Sequence, residues 1–143
     1  MPHEKSCGAV LFRLDKDKSV KYLLLHYEAG HWDFPKGNQE KNETDMETAA
    51  REIKEETGIG NIKFLDGFKD SVKYFYKKGR ETVYKEVAFY IAVSESSAVE
   101  VSFEHIGYAW MGYYNAYKKL TYKTSKELLE KANNFIINSN PSA

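Results

Sequence analysis

Residues 37–59 read "GNQEKNETDMETAAREIKEETGI", an acidic stretch in the middle of a chain that carries no net charge. Its punctuation decides the local fold. Thr44 followed three residues later by Glu47 is a capping-box signature, in which each side chain can satisfy the other's orphan backbone N–H. Gly58 supplies a stop at the other end, because a glycine takes the left-handed conformation there without strain. The spacing predicts a helix over Asp45–Thr57, with Met46, Ala49, Ala50 and Ile53 as its apolar stripe. Glu52, Glu55 and Glu56 stand at i, i+3 and i+4 and so share one helix face, largely distinct from that stripe. Like charges at this spacing repel by roughly a few tenths of a kcal/mol per pair, and Arg51 and Lys54 offset part of it. On the triad alone two readings stay open. One is a solvated acidic face. The other is a site for a hard divalent cation, which prefers carboxylate oxygens and keeps positions free for phosphate.

The rest of the chain sets the frame. A length of 143 residues fits one domain with a core of its own. Lys plus Arg and Asp plus Glu both number 21, so no overall field draws the chain to DNA or to an anionic membrane. Aromatic residues make up 15%, 11 of them Tyr, more than core packing needs and enough to offer flat faces for stacking on bases. The single Cys7, in "SCGAVLF", excludes an internal disulfide and reads as an inert thiol on a buried strand. "MPHEKSCG" shows no signal-peptide pattern, and no apolar run approaches the roughly 20 residues of a membrane helix. A cytoplasmic monomer is the expectation.

"CGAVLFRLD" and "VKYLLLHYE" read as two strands joined by a polar turn, and "AGHWDFPKGNQEKN" as a loop. "IKFLDGF", "SVKYFYKKGRETVYKEVAFYIAV" and "HIGYAWM" read as further strands, with a turn at "KKGR". "TSKELLEKANNFIINS" puts Leu128, Leu129, Ala132, Phe135 and Ile136 on one helical stripe behind a second capping box, Thr124 with Glu127. Residues 138–143 form a fraying tail. The pattern implies an α+β fold, an α/β/α sandwich around a mixed sheet.

The spacing around the triad goes further. Gly37, five residues, Glu43, seven residues and then Arg51-Glu52-Ile53-Lys54-Glu55-Glu56-Thr57-Gly58-Ile59 match the Nudix box at every defining position. Such a match arises by chance with a probability on the order of 10⁻⁷. The chain therefore resembles the Nudix hydrolases over roughly residues 3 to 137. That resemblance implies an α/β/α sandwich with a box helix and a C-terminal helix, and cleavage of pyrophosphate bonds in nucleoside diphosphate derivatives. It implies Mg²⁺ or Mn²⁺ on Glu52, Glu55, Glu56 and the Gly37 carbonyl, with Arg51 orienting the glutamates and Glu43 supporting them. The chemistry accords, since a divalent cation neutralises a polyphosphate leaving group and lowers the pKa of water bound to it.

Outside the box, "GHWDFPKG" resembles the segment before the box in asymmetrical dinucleoside tetraphosphate hydrolases, which implies phosphate contacts for His31 and Lys36. "YFYKKGRETVYKEVAFY" resembles their polyphosphate hairpin and points to Tyr76, Arg80 and Lys85. "SFEHIGYAW" implies that Glu104 reaches the metal cluster, and "LTYKTS" that Tyr122 stacks on a base, a contact worth roughly 1–3 kcal/mol. The implied reaction turns diadenosine tetraphosphate into ATP and AMP. Two alternatives lie in the same family: removal of pyrophosphate from RNA 5′ ends, and hydrolysis of nucleoside triphosphates. A third, from another class, is a catalytically silent nucleotide sensor, which would not need every metal ligand intact.

Overall fold

The structure, a computed structural model, describes residues 1–102 and 104–139. Strands β1 (His3–Leu14), β2 (Val20–Tyr27), β3 (Trp32–Asp33) and β4 (Lys36–Asn38) lead into helix α1 (Asp45–Thr57). Strands β5 (Ile62–Phe64), β6 (Asp70–Lys78), β7 (Glu81–Ser94) and β8 (His105–Met111) follow, and helices α2 (Tyr113–Lys119) and α3 (Lys123–Ser139) close the chain. The sheet is mixed. Its backbone is the order β3-β2-β1-β7-β5, with β4 added on β1, β6 on β7 and β8 on β2. β1 and β7 run parallel from His3↔Tyr84 to Phe12↔Val93, whereas the other pairings are antiparallel.

Residues Cys7 to Phe12 of β1 are all buried because both faces of the sheet are covered. Alternation sorts them. Ala9 and Leu11 face α1 and pack with Leu23, Leu25 and Ile53. Val10 and Phe12 face the other way, onto Leu128, Leu129, Ala132 and Ile136 of α3 and Ala116 of α2. This two-sided core makes the α/β/α sandwich. No helix among the described residues is long and apolar enough to cross a membrane.

Helix α1 keeps the expected ends. Thr44 Oγ1 accepts from the Glu47 N–H at 3.2 Å, the Glu47 carboxylate accepts from the Thr44 N–H at 2.8 Å, and Gly58 caps the helix with φ 77°. Its buried face differs from the expected stripe. Ala49 and Ile53 are buried, but Ala50 is only half-buried and Met46 is 40% exposed. Thr48, Glu56 and Thr57 complete the inner face instead. Glu56 therefore does not lie off the core, as the apolar spacing alone suggested. Helix α3 begins at Lys123, so Thr124 lies inside the first turn rather than capping it. Phe135 is half-buried and packs edge-on to Phe68 at 5.5 Å. Helix α2 was not foreseen, and the loop before the box contains the short strands β3 and β4. Residues 138 and 139 continue α3, and the rest of the expected tail lies outside the described residues.

Candidate active site

The box is organised by Arg51. Its guanidinium donates to Glu43 from Nε (2.6 Å) and Nη2 (3.0 Å), and Nη2 also donates to the Asn38 carbonyl (2.9 Å). Nη1 reaches Glu52 at 3.1 Å and Glu55 at 3.3 Å. Three carboxylates and the carbonyl at the end of β4 thus share one planar fork, a task that suits guanidinium and not ammonium. Glu43 also accepts from the Thr48 hydroxyl and the Glu40 N–H, and the Arg51 hydrogen bond is the main cause that holds its carboxyl down at about 2. Gly37 lies directly against Glu52, and a Cβ there would fall inside that carboxylate.

Glu56 is buried at 5% exposure. Oε1 accepts from the Lys36 backbone N–H at 3.1 Å, and Oε2 lies 3.8 Å from His105 Nε2. His105 is itself buried, its Nδ1 bonded to the Ser102 hydroxyl at 2.9 Å, while Nε2 has no hydrogen-bond partner. Burial pushes the Glu56 carboxyl up to about 8, and the charges of Glu52 and Glu104 add to the rise. Burial also raises Glu52, with Glu55 adding to it. Burial holds His105 below the usual imidazole range, so it offers Glu56 no countercharge near neutral pH.

Among the described residues no three His, Cys, Asp or Glu side chains already form a cage for an ion. Glu55 is turned to Arg51, and Glu104 is exposed beside the cluster. The donor set nonetheless fits a hard cation. Carboxylate oxygens are drawn together with mutual repulsion, Glu56 faces an orphaned imidazole nitrogen, and the bare Gly37 backbone abuts Glu52.

A cavity of about 490 Å³ opens on the α3 side of the sheet, bounded by β3, β4, β6, β7 and the start of α3. Its lining includes three residues expected from the sequence to touch substrate, His31, Lys36 and Tyr122, and also Asp33, Lys73, Tyr74 and Ser125, which the sequence did not point to. His31 stacks on Tyr27 at 4.5 Å and sits 5.5 Å from Tyr122. Tyr27 also meets His105, tilted, at 4.4 Å between ring centres, so one ring links His31 of the cavity to the pocket of Glu56. Tyr76 and Lys85 gather elsewhere. The Tyr76 hydroxyl donates to Glu4 at 2.6 Å, and Lys85 donates to the Asn38 side chain at 2.9 Å and pairs with Glu4 at 3.5 Å. Lys85 thus stands against the strand that carries Gly37, whereas Arg80 is exposed in the β6–β7 turn. His105 and Asp33 carry no sequence signal, because their importance comes from burial against distant partners.

The acidic helix and the cavity meet at Lys36, whose N–H bonds Glu56 and whose residue borders the hollow. Carboxylates whose oxygens suit a divalent cation thus meet a nucleoside-sized space at one residue. The chain belongs to the NUDIX domain family, whose match covers residues 2–132. The asymmetrical bis(5'-nucleosyl)-tetraphosphatase of Mus musculus is 31% identical over 92% of this chain and 95% of its own length. The crystal structure of a C. elegans Ap4A hydrolase binary complex superposes with a TM-score of 0.82 at 26% identity, covering 94% of this chain and 98% of that one. The mRNA-decapping protein g5R of African swine fever virus is 40% identical over 67 residues, 46% of this chain and 26% of the viral protein. Nudix hydrolases generally use divalent metals, as the oxygen donors here would allow.

Proposed function

We propose that the protein hydrolyses dinucleoside polyphosphates, with diadenosine tetraphosphate giving ATP and AMP. The observation that carries this reading is the junction at Lys36. One residue ties the buried Glu56 to the rim of a cavity that holds aromatic rings, so a base in the hollow leads its phosphates over the acidic helix. The likeness to the asymmetrical tetraphosphatases runs over most of both chains and supports the same substrate class.

Glu52, Glu55, Glu56, Glu104 and the Gly37 carbonyl would hold Mg²⁺ or Mn²⁺. Such a cation supplies charge neutralisation on the phosphates and acidifies water. The protein's own groups do the rest. Arg51 fixes Glu52 and Glu55, so that the carboxylates need no reorganisation. The Lys36 ammonium and His31 contact the phosphate chain, and Tyr122 stacks on the base. Glu104, exposed beside the cluster, takes the proton of the attacking water. Tyr76, Lys85 and Arg80 guide the distal phosphates.

The cut is set by the distance from the seated base to the acidic helix, so it is counted from one end. Hydrolysis in ¹⁸O-labelled water should place the label in AMP, and diadenosine pentaphosphate should yield ATP and ADP. Two ADP molecules from the tetraphosphate would refute this geometry. The local likeness to a decapping protein favours one second reading, action on RNA 5′ ends. Rapid pyrophosphate release from 5′-triphosphorylated RNA, with every dinucleoside polyphosphate inert, would establish it instead.

A further inference from the structure

Asp33 is a buried acid that the proposed chemistry does not use. Only 6% of it is exposed, and it lines the cavity beside His31 and Lys36. Its Oδ1 is satisfied twice, by the Phe34 N–H at 2.8 Å and the Ser125 hydroxyl at 2.9 Å. Oδ2 accepts no hydrogen bond among the described residues, and no cation there comes within ion-pair distance of the carboxylate. Anchoring the start of α3 needs only Oδ1. The second oxygen is left open to the aromatic-walled hollow, where a ligand that donates to it can take the place of water. Burial raises the Asp33 pKa, while the two bonds to Oδ1 and the charge of Lys36 act to keep it ionised.

We propose that Asp33 makes the cavity selective for guanine. Resting on the reading that this hollow seats the base of a nucleotide substrate, the selection follows from base-edge chemistry. Guanine presents two adjacent donors, N1–H and the N2 amino group, to an acceptor-only carboxylate. Oδ2 can accept from one or both, and the Ser125 hydroxyl oxygen stands beside it as a further acceptor. Adenine and cytosine set an acceptor nitrogen next to their amino group, and that lone pair would face the carboxylate. Uracil offers a single N–H between two carbonyl oxygens that would meet the same negative charge. A site built to satisfy hydrogen bonds rejects partners that leave them unmade.

The test compares diguanosine with diadenosine tetraphosphate by kcat/KM, and GMP with AMP by calorimetric binding to the metal-free protein in EDTA. The guanine form should lead by about tenfold or more in both, the scale of one well-made contact pair to a base edge. In Asp33→Asn the amide oxygen can replace Oδ1, turning an NH₂ donor into the cavity. The guanine advantage should then fall by about tenfold or vanish, while the fold, followed by circular dichroism, is kept. A wild-type protein that binds and turns over both bases equally, or prefers adenine, overturns the inference, as does an Asp33→Asn variant with an unchanged ratio. Should that variant fail to fold, the wild-type ratios decide alone. If no dinucleoside polyphosphate is cleaved, the proposed substrate class fails, and the GMP-to-AMP binding ratio still decides the role of Asp33.

Discussion

Glu56 sits on the buried side of α1 with one backbone N–H and a neutral imidazole as company. Its carboxyl, ordinarily near 4.5, is pushed up to about 8, so its proton is held more tightly in the folded chain than in the unfolded one. The sign of the linkage follows. Below about 4.5 the group is neutral in both states and costs nothing, and as pH climbs to about 8 the unfolded chain ionises freely while the folded one cannot. Metal-free protein should therefore lose thermal stability over that window. Glu56→Gln, which has no proton to lose, should flatten the slope and exceed wild type at the alkaline end. Melting curves of both proteins in EDTA check this; parallel slopes would mean that Glu56 is not ionised against a cost. A divalent cation selects the ionised form, so the rise in Tm on adding Mn²⁺ should grow with pH. Gly37→Ala tests the neighbouring carboxylate. Its Cβ would displace Glu52, and a misplaced catalytic group of this kind costs turnover on the order of a hundredfold. Steady-state kinetics should show that fall with the melting temperature little changed.

At the scale of elements, α1 is held by its ends as much as by its face. Thr44→Ala removes a side-chain acceptor from the first turn and should cost about 1 kcal/mol, lowering Tm by a few degrees with turnover intact below the transition. Those same ends explain why α1 was legible. Thr44, Glu47 and Gly58 act locally, and local chemistry is written in neighbouring letters. Helix α2 was not legible, because "YYNAYKK" buries only Ala116 and its tyrosines carry strand propensity. Its helicity comes from lying against β2 and α3, which no window of sequence contains. The site divides in the same way. The glutamates and Arg51 follow from spacing on one helix. Ser125 meets Asp33 across 92 positions, and His105 of β8 faces Glu56 of α1, so their roles wait on the sheet order.

The whole molecule brings the two halves of the proposed chemistry from opposite layers. The acidic groups belong to α1 on one face of the sheet, and the cavity wall belongs to α3 on the other, where Leu128 serves both core and hollow. Leu128→Ala should destabilise by roughly 2–5 kcal/mol and widen the seat of the base. Chemical denaturation should register the first effect, and a KM that rises more than kcat falls the second. The parallel pairing of β1 with β7 carries a last consequence, for the birth of the chain. His3 to Phe12 find their partners only at Tyr84 to Val93, so the central pair cannot zip while the intervening residues are still being synthesised. Such distant closures are slow, and until then the apolar run of β1 has no permanent neighbour on that side. The nascent polypeptide must leave the ribosome well past Val93 before this earlier strand is sheltered, so β1 waits uncovered through the synthesis of roughly seventy residues.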